Sequence, residues 1–152
     1  MPRNCPGLCE RVIQLTSDFI DAQSMAESTP STTPLFSYDM RIVGPLYGLA
    51  HHCRDPSIRR KAVALLKSCN RREGIWDSML TATVAEKVIE IEEEGLGTVL
   101  SCNDVPDWAR ITTVQIEWDL EGKVGRCWYE RSSRGISDAV SHVERQFRLM
   151  KW

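Results

Sequence analysis

The sequence predicts a mainly α fold, with about four helices in antiparallel hairpins followed by a small antiparallel β-sheet of two or three strands. Three observations carry this expectation. Between residues 7 and 94, apolar residues recur every three or four positions, the period of a helix with one buried face. From Thr113 to Leu120 the pattern becomes strict alternation, the period of a half-buried strand. The two regimes are separated by Gly95-Leu96-Gly97, which suits a helix end. A chain of 152 residues, 42% of them hydrophobic, is long enough to bury a core, and the expectation is one domain over residues 1–152. Its helical part covers about 7–94 and its β part about 110–152.

The first helix is expected from about Gly7 to Ala26. Leu8, Val12, Leu15 and Phe19 lie at four-three-four spacing and form one apolar stripe, which as an ordinary amphipathic face is expected to pack into the core. A linker over about 27–35 follows, because Ser28-Thr29-Pro30-Ser31-Thr32-Thr33-Pro34 combines prolines with hydroxyl side chains that disfavour helix. The second helical region is Ser37 to Cys53. Pro45 lies inside it, so the helix kinks or restarts there, since an interior proline costs about 3 kcal/mol. Ile42, Leu46 and Leu49 continue one face across that point.

The third helix has a well-defined start, with Asp55 as cap and Pro56 in the first position. Ile58, Ala62, Leu65, Leu66 and Cys69 make its buried side, and Arg59, Arg60, Lys61 and Lys67 its wet side. Gly74 then precedes a long fourth helix, from about Trp76 to Glu94, with Trp76, Leu80, Val84, Val88 and Ile91 as its stripe. Glu86, Glu90, Glu93 and Glu94 gather near its C-terminal end, where negative charge opposes the helix dipole. A hairpin of the third and fourth helices would match those carboxylates with the arginines beside them. In the β part, Val114, Ile116, Trp118 and Leu120 alternate with polar residues, Glu121-Gly122 makes a turn, and Lys123 to Glu130 returns. Such a hairpin is marginal alone. Val140 to Trp152 is read as its third strand, although Ile136, Val140, Val143, Phe147 and Met150 also fit a helix.

Composition and motifs limit the chemistry. A formal charge of -2 is unlike the basic balance of a nucleic-acid-binding module, so direct nucleic-acid binding by this chain is not expected. No apolar run reaches the roughly 20 residues that span a bilayer, and the N-terminus has no apolar signal core. An intracellular location, nuclear or cytoplasmic, is therefore expected. Six cysteines, Cys5, Cys9, Cys53, Cys69, Cys102 and Cys127, are scattered and read as free thiols of a reducing compartment. Only Cys5-x3-Cys9 approaches a metal-binding pair, and in His51-His52-Cys53 at most two side chains can reach one ion. The expectation is no metal and no cofactor. No G-x-S-x-G elbow or glycine-rich phosphate loop is present, and Glu92-Glu93-Glu94 reads as a solvated helix end. No catalytic residue is assigned, and a non-catalytic module is favoured over an enzyme.

One ordered set of motifs carries a family likeness. Tyr38 to Tyr47 ends in Gly44-Pro45-Leu46-Tyr47, and Cys53-Arg54-Asp55-Pro56-Ser57-Ile58-Arg59-Arg60 follows. Next come Arg71-Arg72-Glu73-Gly74-Ile75-Trp76-Asp77-Ser78 and later Val105-Pro106-Asp107-Trp108-Ala109-Arg110 and Trp118-Asp119-Leu120-Glu121-Gly122-Lys123. Together they resemble the C-terminal region of fungal-specific transcription factors of the six-cysteine binuclear zinc-cluster class, over about Phe36 to Lys123. The paired C-x2-C elements of that family's DNA-binding zinc cluster are absent from this sequence. The resemblance implies a regulatory interaction module acting through protein contacts, with a protein partner or a homodimer. Without the helices that precede this region in the family, an apolar patch should be exposed, and Leu8, Val12, Leu15 and Phe19 are its candidates, with Arg59 and Arg60 beside it. The alternative is a stand-alone enzyme or small-molecule binder of a fungal biosynthetic pathway. For that reading Tyr47, His51, His52 and Trp76 are the residues to examine.

Overall fold

The computed structural model describes residues 6–26, 35–38, 41–53, 55–119, 121–132 and 143–151. In chain order these form α1 (Pro6–Ala26), β1 (Leu35–Ser37), α2 (Val43–His52), α3 (Pro56–Ser68), β2 (Arg71–Glu73), β3 (Trp76–Asp77) and α4 (Ser78–Glu93). A 3-10 turn at Asp107–Ala109 then leads into β4 (Ile111–Asp119), β5 (Val124–Ser132) and β6 (Val143–Lys151). The mainly α, all-α expectation is corrected. Among the described residues four helices stand beside two three-stranded sheets, a mixed α/β architecture. The linker expected over 27–35 falls mostly outside the described residues, and its last residue, Leu35, opens β1. The chain divides into two compact units, with the boundary between Glu86 and Lys87.

The first unit accounts for the correction. The link from α3 to α4 is a strand pair instead of a simple helix–helix turn: Arg72 faces Asp77 and Glu73 faces Trp76 in antiparallel register. Gly74 turns the corner at φ +57°, a left-handed conformation that glycine adopts without a Cβ clash. β1 adds to the same sheet in parallel, pairing Leu35 with Arg71, Phe36 with Arg72 and Ser37 with Glu73. Strands of two and three residues are too short to show alternation, so the sequence reading passed over this sheet. α2 and α3 pack on each other through Val43, Leu46, Ala50, Ile58, Ala62 and Leu66, all buried. Each of the valine, leucine and isoleucine side chains among them contributes roughly 1.5–3 kcal/mol when fully buried.

Both inner helix starts are capped as their sequences require. The Asp55 carboxylate accepts the amides of Ser57 (2.9 Å) and Ile58 (3.1 Å), with Pro56 at the first helical position. Asp77 does the same for α4, accepting from Met79 and Leu80 at 3.0 Å each.

The second unit is built on an antiparallel meander ordered β4-β5-β6. Ile116 pairs with Cys127 and Trp118 with Gly125, which fixes which residues share a face. At Gly125 a Cβ would come within 2.7 Å of the Trp118 ring, so the indole lies where only glycine leaves room. The turn between β4 and β5 is held by Asp119, whose Oδ1 accepts the Gly122 amide at 2.9 Å. Cys127, Tyr129 and Met150 are buried on the inner face, and Val99, Val105 and Ala109 make a small cluster under the 96–110 loop with Leu96 and Trp108. None of the helices among the described residues is long and apolar enough to cross a membrane.

Candidate functional site

Within the first unit, the Arg71–Ser78 motif builds a buried polar frame. Glu73, in β2, has no solvent exposure. Its carboxylate accepts the backbone amides of Arg41 (2.9 Å), Ile42 (3.1 Å) and Val43 (3.0 Å), the opening of α2. Those are the donors a helix start leaves unpaired, and the positive end of the helix dipole favours an anion there. Arg71, two residues earlier on the same strand face, brings its Nε within 3.2 Å of Glu73 Oε1.

Arg71 also reaches α1. Its Nη1 donates to Gln23 Oε1, and its guanidinium lies 5.5 Å above the Phe19 ring. Its backbone amide donates to Ser78 Oγ at 3.0 Å. The R-R-E-G-x-W-D-S segment thus ties α1, the start of α2 and the start of α4 to one short sheet. Its chemistry is structural.

A second constellation gathers the four residues named for a small-molecule site. His52, His51, Tyr47 and Trp76 form a chain of ring contacts, with centroids 4.5 Å, 5.6 Å and 5.6 Å apart in that order. The two histidine Nδ1 atoms lie 3.3 Å apart. Burial, then the His52 and Arg59 charges, lower the His51 pKa to about 4, so this imidazole is neutral at physiological pH. Among the described residues no cluster of three or more His, Cys, Asp or Glu is placed to hold a metal ion. The described cysteines, Cys9, Cys53, Cys69, Cys102 and Cys127, are not joined in disulfides. Burial raises the Cys53 and Cys127 thiols to about 11, so both are poor nucleophiles at neutral pH.

The proposed partner surface splits. Leu8 and Leu15 of α1 are 67% and 53% exposed, while Val12 and Phe19 are half-buried. The helix turns its Cys9–Ile13–Thr16–Ile20 side inward, with Thr16 buried and its hydroxyl bonded back to Val12 O at 2.8 Å. Arg60 is exposed, and its Nη1 donates to Pro56 O at 3.3 Å. Arg59 is a correction. It is only 1% exposed, and its Nε donates to Ala50 O at 2.7 Å, so it locks α3 to the end of α2 from within.

Glu92 is corrected likewise. Far from being solvated, it is 1% exposed and accepts the Ile111 amide at 2.8 Å, with Arg110 Nη1 at 3.5 Å. The acidic cluster does find basic partners, one of them Glu86 with Lys67 at 2.7 Å across exposed surface. Sequence reasoning missed Arg71, Glu73 and Glu92 as buried groups. The available signal was the opposite charges at alternate positions, 71 and 73, which share one strand face.

With this geometry in view, similarity to known proteins becomes informative. The chain is 30% identical over 119 residues to the aspercryptin biosynthesis cluster-specific transcription regulator atnN of Emericella nidulans. The chain is related to a fungal transcription regulator. The match covers 76% of this chain and 19% of the regulator, so the chain spans about a fifth of that relative's length. No family model matches the sequence, and no solved structure matches it.

Proposed function

We propose that this chain is a regulatory interaction module of fungal transcriptional control, working in the nucleus on a biosynthetic gene cluster through protein contacts. The observation that carries the reading is the similarity to the cluster-specific regulator over three quarters of the chain. The order of motifs between Phe36 and Lys123 supports the narrower assignment, to the C-terminal effector part of a zinc-cluster factor. Protein contact is favoured by α1, which leaves Leu8 and Leu15 open to solvent beside the core that α2 and α3 build. Its charge balance of -2 suits a module that acts through proteins.

The test is a reporter assay in a fungal host, with the chain fused to a heterologous DNA-binding domain. The wild-type fusion should change reporter output. The L8D/L15D variant should lose most of that response while keeping its helical circular dichroism. An unchanged response in that folded variant would remove α1 from the mechanism. A wild-type fusion without effect would count against the regulatory reading.

A second reading, a small-molecule binder, draws on the ring chain of Tyr47, His51, His52 and Trp76. It predicts that fungal metabolite extracts quench Trp76 fluorescence, with the change lost in Trp76→Phe.

A further inference from the structure

We propose that the open face of α1 pairs antiparallel with α1 of a second copy of this chain. The proposal rests on the protein-contact reading above and names the partner.

The exposed side of α1 has a seven-residue repeat. Leu8, Leu15 and Ala22 are all exposed and recur at intervals of seven, which places them in one row about 20 Å long. This row is displaced from the inward side formed by Cys9, Ile13, Thr16 and Ile20, so burying it leaves the fold intact.

Charge beside the row selects the partner. Arg11 and Asp18 each follow a leucine of the row by three residues, and both are exposed. They therefore stand on the same flank, one helical repeat apart. In an antiparallel pair the same flank of each helix faces its counterpart. Setting Leu15 against Leu15 then brings Leu8 opposite Ala22 and puts Arg11 of each copy beside Asp18 of the other. One two-fold axis thus makes two ion pairs from two residues, the self-complementarity that an isologous interface requires. A parallel pair would set Arg11 and Asp18 against the half-buried Val12 and Phe19 flank, which offers no charge. Asp18 Oδ1 already accepts from Gln14 at 2.8 Å, which steadies the carboxylate and leaves its other oxygen for the arginine.

Sedimentation equilibrium on the full 152-residue chain tests this. The wild type should show a monomer–dimer equilibrium. Leu15→Glu should weaken it at least ten-fold. Arg11→Glu and Asp18→Arg should each weaken it several-fold, and the R11E/D18R double variant, whose pairs are reversed but intact, should recover most of the wild-type affinity. These surface charges leave the core untouched, so a folded set is assured even if L15E is compromised. A wild type that stays monomeric overturns the pairing, and so does a double variant no tighter than its parents. Should the chain be monomeric while L8D/L15D still silences the reporter, protein contact stands and the partner is another protein. A dimer combined with a silent wild-type fusion instead leaves the pairing standing and sinks the regulatory reading.

Discussion

Glu73 illustrates how one side chain can hold distant pieces of a chain together. Its carboxylate meets amides some thirty positions earlier in sequence and the guanidinium of Arg71, out of reach of bulk solvent. Removing one member of such a buried pair strands the other charge, at a cost of about 3–5 kcal/mol. Against a total stability of about 5–15 kcal/mol, that is a large fraction. Glu73→Ala should therefore lower the denaturant midpoint sharply, measured by circular dichroism with the slope unchanged. His51 makes a second prediction at this scale. In the unfolded chain it titrates near 6.5, and in the folded protein burial lowers that to about 4. Below pH 6.5 the unfolded state takes up a proton that the native state refuses. Stability thus falls as pH drops from 6.5 toward 4 and levels off below. From pH 7 to pH 5 the loss should be about 1–2 kcal/mol. His51→Asn should flatten that part of the curve, and an unaltered slope would show that another group titrates there.

Helix α3 shows what an element's own sequence can specify. Asp55 and Pro56 start it wherever it packs, because the cap acts on amides two and three residues away. Asp55→Ala should cost about 1 kcal/mol in stability, read from urea unfolding. Helix α1 is the contrary case. Its stripe of Leu8, Val12, Leu15 and Phe19 was legible, and helix is what forms there. The face that turns inward is nevertheless rotated toward Cys9, Ile13, Thr16 and Ile20, because Arg71 grips Phe19 and Gln23 from one side. Periodicity registers that a helix has an apolar side, while the neighbours decide how far round that side lies. The β1-β2-β3 sheet was not legible at all. Its strands gain their identity from partners: Leu35 from Arg71, and Trp76 from Glu73.

For the molecule as a whole, the same distinction separates the readable parts of the candidate site from the unreadable ones. The motif series 36–123 pointed to a regulator, and similarity to one follows over 119 residues. The surface meant to carry the contacts was read less well. Leu8 and Leu15 do lie open, whereas Arg59 is buried in the α2–α3 junction. An arginine on the polar side of a helical wheel looks solvated until a second helix end closes over it. The reporter and association experiments follow from this surface, and both depend on α1 being presented by a rigid first unit. Glu73→Ala should therefore also dull the reporter response, through loss of the Arg71 clamp instead of any contact residue.

Local chemistry determined a good part of this protein. Asp55-Pro56 and Asp77 start helices, Gly95 and Gly97 lie beyond the end of α4 with positive φ, and alternation from 113 onward makes a strand. Each of these acts over a few bonds, so a short window of sequence contains its cause. Tertiary structure alone decided the three-stranded sheet at 35–77, the turning of α1, and the burial of Arg59, Arg71, Glu73 and Glu92. Apart from the β2–β3 pairing, whose partners are three to five residues apart, the deciding atoms lie from nine to nearly fifty residues away. Charged groups go inside only where such partners meet them, and no local pattern records that meeting.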